Sequence, residues 1–90
     1  MHRIDVIVSG QVQGVWFIRN TQEKARELGI TGWVRNESDG TVTLVAEGND
    51  KLLIKLTKWL EIGSPDANVD TLKVNWGDAK EKLNSFEVIK

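Results

Sequence analysis

Cysteine and tyrosine are both absent from this sequence, and histidine, methionine and proline each occur once. Without cysteine there is no disulfide, no thiolate nucleophile and no zinc–thiolate site. The one histidine, His2, stands at a terminus, where chains usually fray. Chemistry that needs a buried His or Tyr as acid or base therefore runs against this composition. Excess charge of one sign is missing too: 12 basic residues face 13 acidic ones, for a net charge of −1. The signs are mixed along the chain, whereas a non-specific nucleic-acid binder carries a basic excess. No nucleic-acid partner is expected. Nor is there an 18-residue apolar run, so no membrane span is expected. The opening MHRIDVIVSG lacks the apolar stretch of a signal peptide, and the expected location is cytoplasmic. Without a secretory signal, the sequon Asn36-Glu37-Ser38 reads as chance.

What is present is an ordinary globular composition, 40% hydrophobic and 28% charged over 90 residues. Residues 1–90 read as one domain, with no Gly/Ser- or Pro-rich linker and no internal repeat. A chain this short buries only about 60–65% of its unfolded surface, so each element must add to a modest core.

Ile4, Val6 and Val8 alternate with Arg3, Asp5 and Ile7, the period of a strand. Ser9–Trp16 carries two glycines and reads as a loop. Phe17, Thr21, Ala25 and Leu28 fall at helical spacing, with Gly29 as the stop. Thr31–Asn36 is rich in strand formers, and Asp39-Gly40 turns the chain into a second strand through Val42, Leu44 and Ala46. Asn49 or Asp50 caps the next helix, whose stripe is Leu52, Leu53, Leu56, Trp59 and Leu60. That stripe reads as core, and Lys51, Lys55, Lys58 and Glu61 as the solvated side. Gly63-Ser64-Pro65 ends the helix. Leu72, Val74 and Trp76 form a strand, Gly77–Lys82 a turn, and Phe86 and Val88 a last short strand. The order is the split βαβ, ferredoxin-like plan (βαββαβ) of the α+β class. It predicts an antiparallel sheet with two helices on one face.

One segment invites chemistry. Gly10–Trp16 is a glycine-containing loop that runs into a helix N-terminus. Glycines let backbone N–H groups turn toward one point, and the helix adds free amides and the positive end of its dipole. Such a place suits phosphate or carboxylate. The pattern is neither a Walker A loop nor a dinucleotide fingerprint, and on pattern alone a plain βα turn is the favoured reading.

Gly10-Gln11-Val12-Gln13-Gly14-Val15-Trp16-Phe17 resembles the phosphate-binding loop of the acylphosphatase family. Leu28-Gly29-Ile30-Thr31-Gly32-Trp33-Val34-Arg35-Asn36 resembles that family's second signature, the strand ending in its catalytic Asn. Asp39-Gly40-Thr41-Val42, Ala46-Glu47-Gly48, Gly63-Ser64-Pro65 and Phe86-Glu87-Val88 fit as well. The likeness implies hydrolysis of an acyl phosphate to a carboxylate and inorganic phosphate. It implies a phosphate held by the amides of Gln13, Gly14, Val15, Trp16, Phe17 and Ile18. It gives Asn36 the water, and it requires no metal and no cofactor. The composition suits this chemistry, because a carboxylate leaves with little or no acid help. Phosphoryl transfer also asks mainly for positioning and charge stabilisation.

One residue departs from the pattern. The family's phosphate-gripping Arg falls on Ile18, whether counted forward from Val12-Gln13-Gly14-Val15 or back from Thr21-Gln22 and Leu28-Gly29. Isoleucine offers neither a charge nor a fork of donors. An arginine at a phosphoryl-transfer site is worth on the order of 10³–10⁵ in rate in other enzymes, so weakened activity is expected. Arg19 comes one residue late and leaves a helix about 100° round. Partial rescue and a solvated surface arginine are both open readings of it.

Trp16 reads as a contact for the acyl group or as a cover for the loop. Trp33, Trp59 and Trp76 read as core or partly buried sheet-face residues. Asn36 on residue pattern alone reads as a strand-end residue bonding into the Glu37–Gly40 turn. Asn36–Gly40 superficially resembles a calcium loop, but Arg35 stands where the first carboxylate belongs, so no metal site is expected. A metal-independent, monomeric acylphosphatase acting on a small-molecule acyl phosphate is the leading reading. A catalytically impaired module binding phosphate or another anion is the alternative. RNA binding on a βαββαβ sheet ranks last, for want of an RNP-type run and a basic excess.

Overall fold

The computed structural model describes residues 1–14, 16–80 and 83–89. The elements, in chain order, are β1 (His2–Gln11), α1 (Phe17–Glu27), β2 (Thr31–Asn36), β3 (Val42–Gly48), α2 (Asp50–Ile62), β4 (Asn68–Asp78) and β5 (Phe86–Val88). The five strands form one sheet in the order β4-β1-β3-β2-β5. The first four pair antiparallel, as the alternation predicts. The short β5 instead runs parallel to β2, with Gly32, Trp33 and Val34 opposite Phe86, Glu87 and Val88, so the sheet is mixed. After β4 at one edge, the chain crosses to the far edge and reaches β2 running in the same direction.

The alternation of β1 divides the sheet into two faces. Ile4, Val6 and Val8 are fully buried and meet Val42, Leu44 and Ala46 of β3 and Val34 of β2. Phe17 and Ala25 of α1 and Leu53, Leu56 and Leu60 of α2 cover that face. Phe17 and Trp59 join the helices, their rings stacked at 6.0 Å. The opposite face carries Asp5, Ile7, Trp33 and Arg35, with the Arg35 guanidinium 5.2 Å from the Trp33 ring centre. Trp59 and Trp33 are partly buried, but Trp76 is 48% exposed. It sits on edge strand β4, which has a neighbour on one side only.

Local chemistry sets the helix ends. Gly29, at φ 72°, follows the C-cap Leu28 of α1, and Ile30 N–H donates to Ala25 O (2.9 Å) and Gly29 N–H to Arg26 O (3.0 Å). This is a Schellman closure, where the left-handed residue is best a glycine. Asn49 is the cap of α2: its Oδ1 accepts from Leu52 N–H at 3.0 Å, and Asp50 is the first helical residue. The charged side of α2, Lys51, Lys55, Lys58 and Glu61, is exposed as expected.

Two strands are longer than their apolar alternation suggests. β1 runs on through Gln11, and β4 begins at Asn68, the two pairing at Gln11↔Asn68. Ladder hydrogen bonds come from backbone, so polar residues extend them once the register is set. Gly10 therefore lies in the sheet, at a bulge beside Ser9, and not in the loop the sequence suggests. It has φ 127°, and a Cβ there would stand 2.1 Å from Asn68 O. The expected Gly77–Lys82 turn is shortened by β4 reaching Asp78, and its residues 81 and 82 lie outside the described residues.

Candidate active site

β1 and α1 are joined by residues 12–16. Val12 is buried and anchors the start of this loop in the core. Gly14 takes φ 74°. Trp16 takes φ 63° and ψ 14°, the one non-glycine residue at positive φ among those described. A bulky residue held left-handed costs energy, and such strain concentrates at functional positions. Trp16 is the N-cap of α1, yet it provides no side-chain cap, and no acidic residue stands in the first helical turn. A helix start with no side-chain cap and no acidic first turn is chemically suited to an anion at its positive end.

The opposite wall comes from the β2–β3 hairpin. Asn36 ends β2, is exposed and pairs across the sheet with Val42. Asp39 braces the turn, its Oδ1 accepting from Thr41 N–H at 3.0 Å and from the Thr41 hydroxyl at 2.6 Å. The Glu37 carboxylate accepts from the Thr43 hydroxyl and from Arg35 Nε–H. These bonds favour the charged forms. The Thr43 hydroxyl, then Arg35, hold Glu37 below the usual carboxylate range, and the Thr41 bonds do the same for Asp39. Because Asp39 and Glu37 brace the turn, Asn36 is not needed for it. Among the described residues the Asn36 side chain has no hydrogen-bond partner.

Loop and hairpin enclose one cavity of about 430 Å³, lined by Val12, Gly14, Trp16, Phe17, Ile18, Arg19 and Asn36. Six of the residues singled out from the sequence meet there: Gly14, Trp16, Phe17, Ile18, Arg19 and Asn36. Val15 lies outside the described residues. Gln13 flanks the cavity, and its side chain turns to the hairpin, with Nε2 donating to Glu37 O (2.7 Å) and Thr41 O (2.9 Å). The Phe17 ring is buried against Trp59, so only its backbone is free for a ligand. Ile18 is partly buried against the core and gives the cavity an apolar wall. Arg19 also lines the cavity, its guanidinium 5.7 Å from the Trp16 ring centre and 3.9 Å from a Glu23 carboxylate oxygen. Sequence reasoning missed Val12 as a wall and the Gln13 brace. An apolar residue inside a polar loop was the available signal for Val12. The brace joins residues 24 and 28 positions apart and leaves no local pattern.

The structure is thus an α+β protein whose sheet carries its helices on one face. Its cavity lies between a helix start that has no side-chain cap and an Asn without a hydrogen-bond partner among the described residues, an arrangement suited to an anion. The family model for acylphosphatase matches residues 4–88, and the chain belongs to the acylphosphatase family. It is 43% identical over 86 residues to the acylphosphatase of Pelotomaculum thermopropionicum, covering 96% of this chain and 94% of that one. The crystal structure of acylphosphatase from Bacillus subtilis superposes with a TM-score of 0.97 at 32% identity, covering all of both chains. An acylphosphatase structure from Coxiella burnetii gives 0.87 at 45% identity, covering 97% of this chain and 90% of that one.

Proposed function

We propose that this protein hydrolyses acyl phosphates to a carboxylate and inorganic phosphate in the cavity between the 12–16 loop and Asn36. The observation that carries this reading is the uncapped, acid-free start of α1 facing an Asn side chain without a partner among the described residues. The backbone amides of Gln13 through Ile18 hold the phosphate dianion. Asn36 accepts a hydrogen bond from water and can donate one, and it does not titrate, so it orients the water over a wide pH range. Water oxygen bonds to phosphorus as the bond to the acyl oxygen breaks. The pair of electrons leaves on the carboxylate, and the water's protons end on phosphate oxygens. Positioning and preset dipoles provide the acceleration.

Ile18 lowers the rate, because the cavity wall there gives no charge to the phosphate. Arg19 restores part of that charge from the rim, beside the Trp16 ring where an acyl group would rest. The substrate is a small-molecule acyl phosphate, and the protein works as a cytoplasmic monomer without nucleic acid or membrane. The balanced net charge of −1 supports this, and no described helix is long and apolar enough to cross a membrane. Benzoyl phosphate hydrolysis by the protein and by Asn36→Ala tests the reading. A rate above the uncatalysed blank that Asn36→Ala removes is the expected result; an unchanged rate in Asn36→Ala rules the mechanism out.

A further inference from the structure

The side chain of Gln13 reaches away from the cavity and across to the hairpin that carries Asn36. Its Nε2 donates to two carbonyls, Glu37 O at 2.7 Å and Thr41 O at 2.9 Å. A carboxamide nitrogen has two hydrogens, and both are spent here. Neither acceptor needs them. Glu37 O already accepts from Gly40 N–H at 3.2 Å, and Thr41 O from Glu37 N–H at 2.8 Å. Each carbonyl has a second lone pair, and Gln13 occupies it. The hairpin is thus closed by its own backbone bonds, and the two Gln13 bonds in addition tie it to a different segment.

The tie spans the two walls of the cavity. Gln13 precedes Gly14, which lines one wall, and Glu37 follows Asn36, which lines the other. Of the other described loop residues, Val12 is buried in the core, Gly14 is at positive φ, and Trp16 is exposed. Two bonds from one atom to carbonyls on both sides of the turn fix how far loop and turn stand apart. We propose that Gln13 is a positioning residue that sets the distance and angle between the phosphate-holding loop and the Asn36 side chain. The proposal rests on the acyl phosphate reading given above. On that reading phosphate is held by the backbone of the loop and the start of α1, on one wall, whereas water must be held by Asn36, on the other, in line with phosphorus. Loss of the tie should therefore spare binding and slow turnover. A misplacement of about 1 Å at such a site costs on the order of 10² in rate.

Gln13→Met keeps the side-chain length and removes both donors. Gln13→Asn keeps the donors and shortens their reach, and serves as the second variant should the first fail to fold. Steady-state hydrolysis of benzoyl phosphate gives kcat and KM, and competition by inorganic phosphate gives the affinity of the loop. The expected pattern is a kcat lower by on the order of 10², with phosphate affinity and KM within about threefold of the parent. A general weakening of the loop would lower kcat and phosphate affinity together, and that result overturns the proposal. So does an unchanged kcat. Asn36→Ala in the same assays separates the two claims. If that variant keeps the parent's rate, the hydrolytic reading fails; if it is inactive while Gln13→Met turns over normally, only the tether fails.

Discussion

Ile18 and Arg19 show how much one position in the first turn of α1 matters. Their directions differ as the helix requires: Ile18 packs against the core, and Arg19 reaches the rim beside Trp16. Both touch the cavity, so a shift of one residue changes its charge without closing it. Thr21, one turn on, poses a separate problem. It is completely buried on the stripe with Phe17 and Ala25, and its hydroxyl has no partner among the described residues. A buried polar group left unpaired costs about 1–3 kcal/mol. Thr21→Val keeps the shape and removes that group, so stability should rise by about 1 kcal/mol. For a domain of this size the melting temperature should rise by about 4–8 °C. A melting temperature that falls would mean that the hydroxyl is satisfied in solution.

Among the elements, the β2–β3 hairpin is the most heavily braced by side chains. Asp39, Thr41, Glu37, Thr43 and Arg35 are joined in two short networks, and Gln13 adds its tie from outside. Glu37 and Asp39 are both held below their ordinary values by hydroxyl donors, so each favours the folded state only when ionised. Their stabilisation is complete above the unfolded carboxylate values and disappears as pH falls through the folded ones. Glu87 of β5, bonded by Ser85 and by Arg26 of α1, behaves in the same way. The melting temperature should thus hold from neutral pH to about pH 5 and fall below about pH 4. Glu37→Gln should flatten that fall, since one of the three groups no longer titrates. A variant curve parallel to the parent's would show that the Glu37 bonds carry no folding free energy. β2 itself rests on a close approach: a Cβ at Gly32, at φ 150°, would stand 1.9 Å from Val45 O, so only glycine fits beside β3 there.

At the scale of the whole molecule, most of the architecture was legible because each element buries a simple stripe. Val6 and Leu44 alternate in strand period, and Leu53, Leu56 and Leu60 recur in helical period, all meeting in one core. Strand ends were less legible. Backbone pairing carries β1 to Gln11 and β4 back to Asn68 through polar residues whose side chains decide nothing. The parallel direction of β5 was not legible either, since it depends on where a three-residue strand docks. Of the candidate site, Gly14, Trp16, Phe17 and Asn36 stand in the two signatures, and with Ile18 and Arg19, which depart from the pattern, they line a single cavity. The Gln13 brace was not readable, because the carbonyls it meets have no residue identity.

One experiment bears on all of this at once: benzoyl phosphate hydrolysis by the protein, by Ile18→Arg and by Ile18→Arg/Asn36→Ala, against an uncatalysed blank. Ile18→Arg should exceed the parent by on the order of 10²–10³, at or below the low end of the roughly 10³–10⁵ an arginine gives phosphoryl transfer, because on the proposed reading Arg19 supplies part of that charge. Adding Asn36→Ala should return the rate to the blank. If Ile18→Arg is no faster, or if the double variant still turns over, then the cavity between the 12–16 loop and Asn36 is not where the reaction occurs.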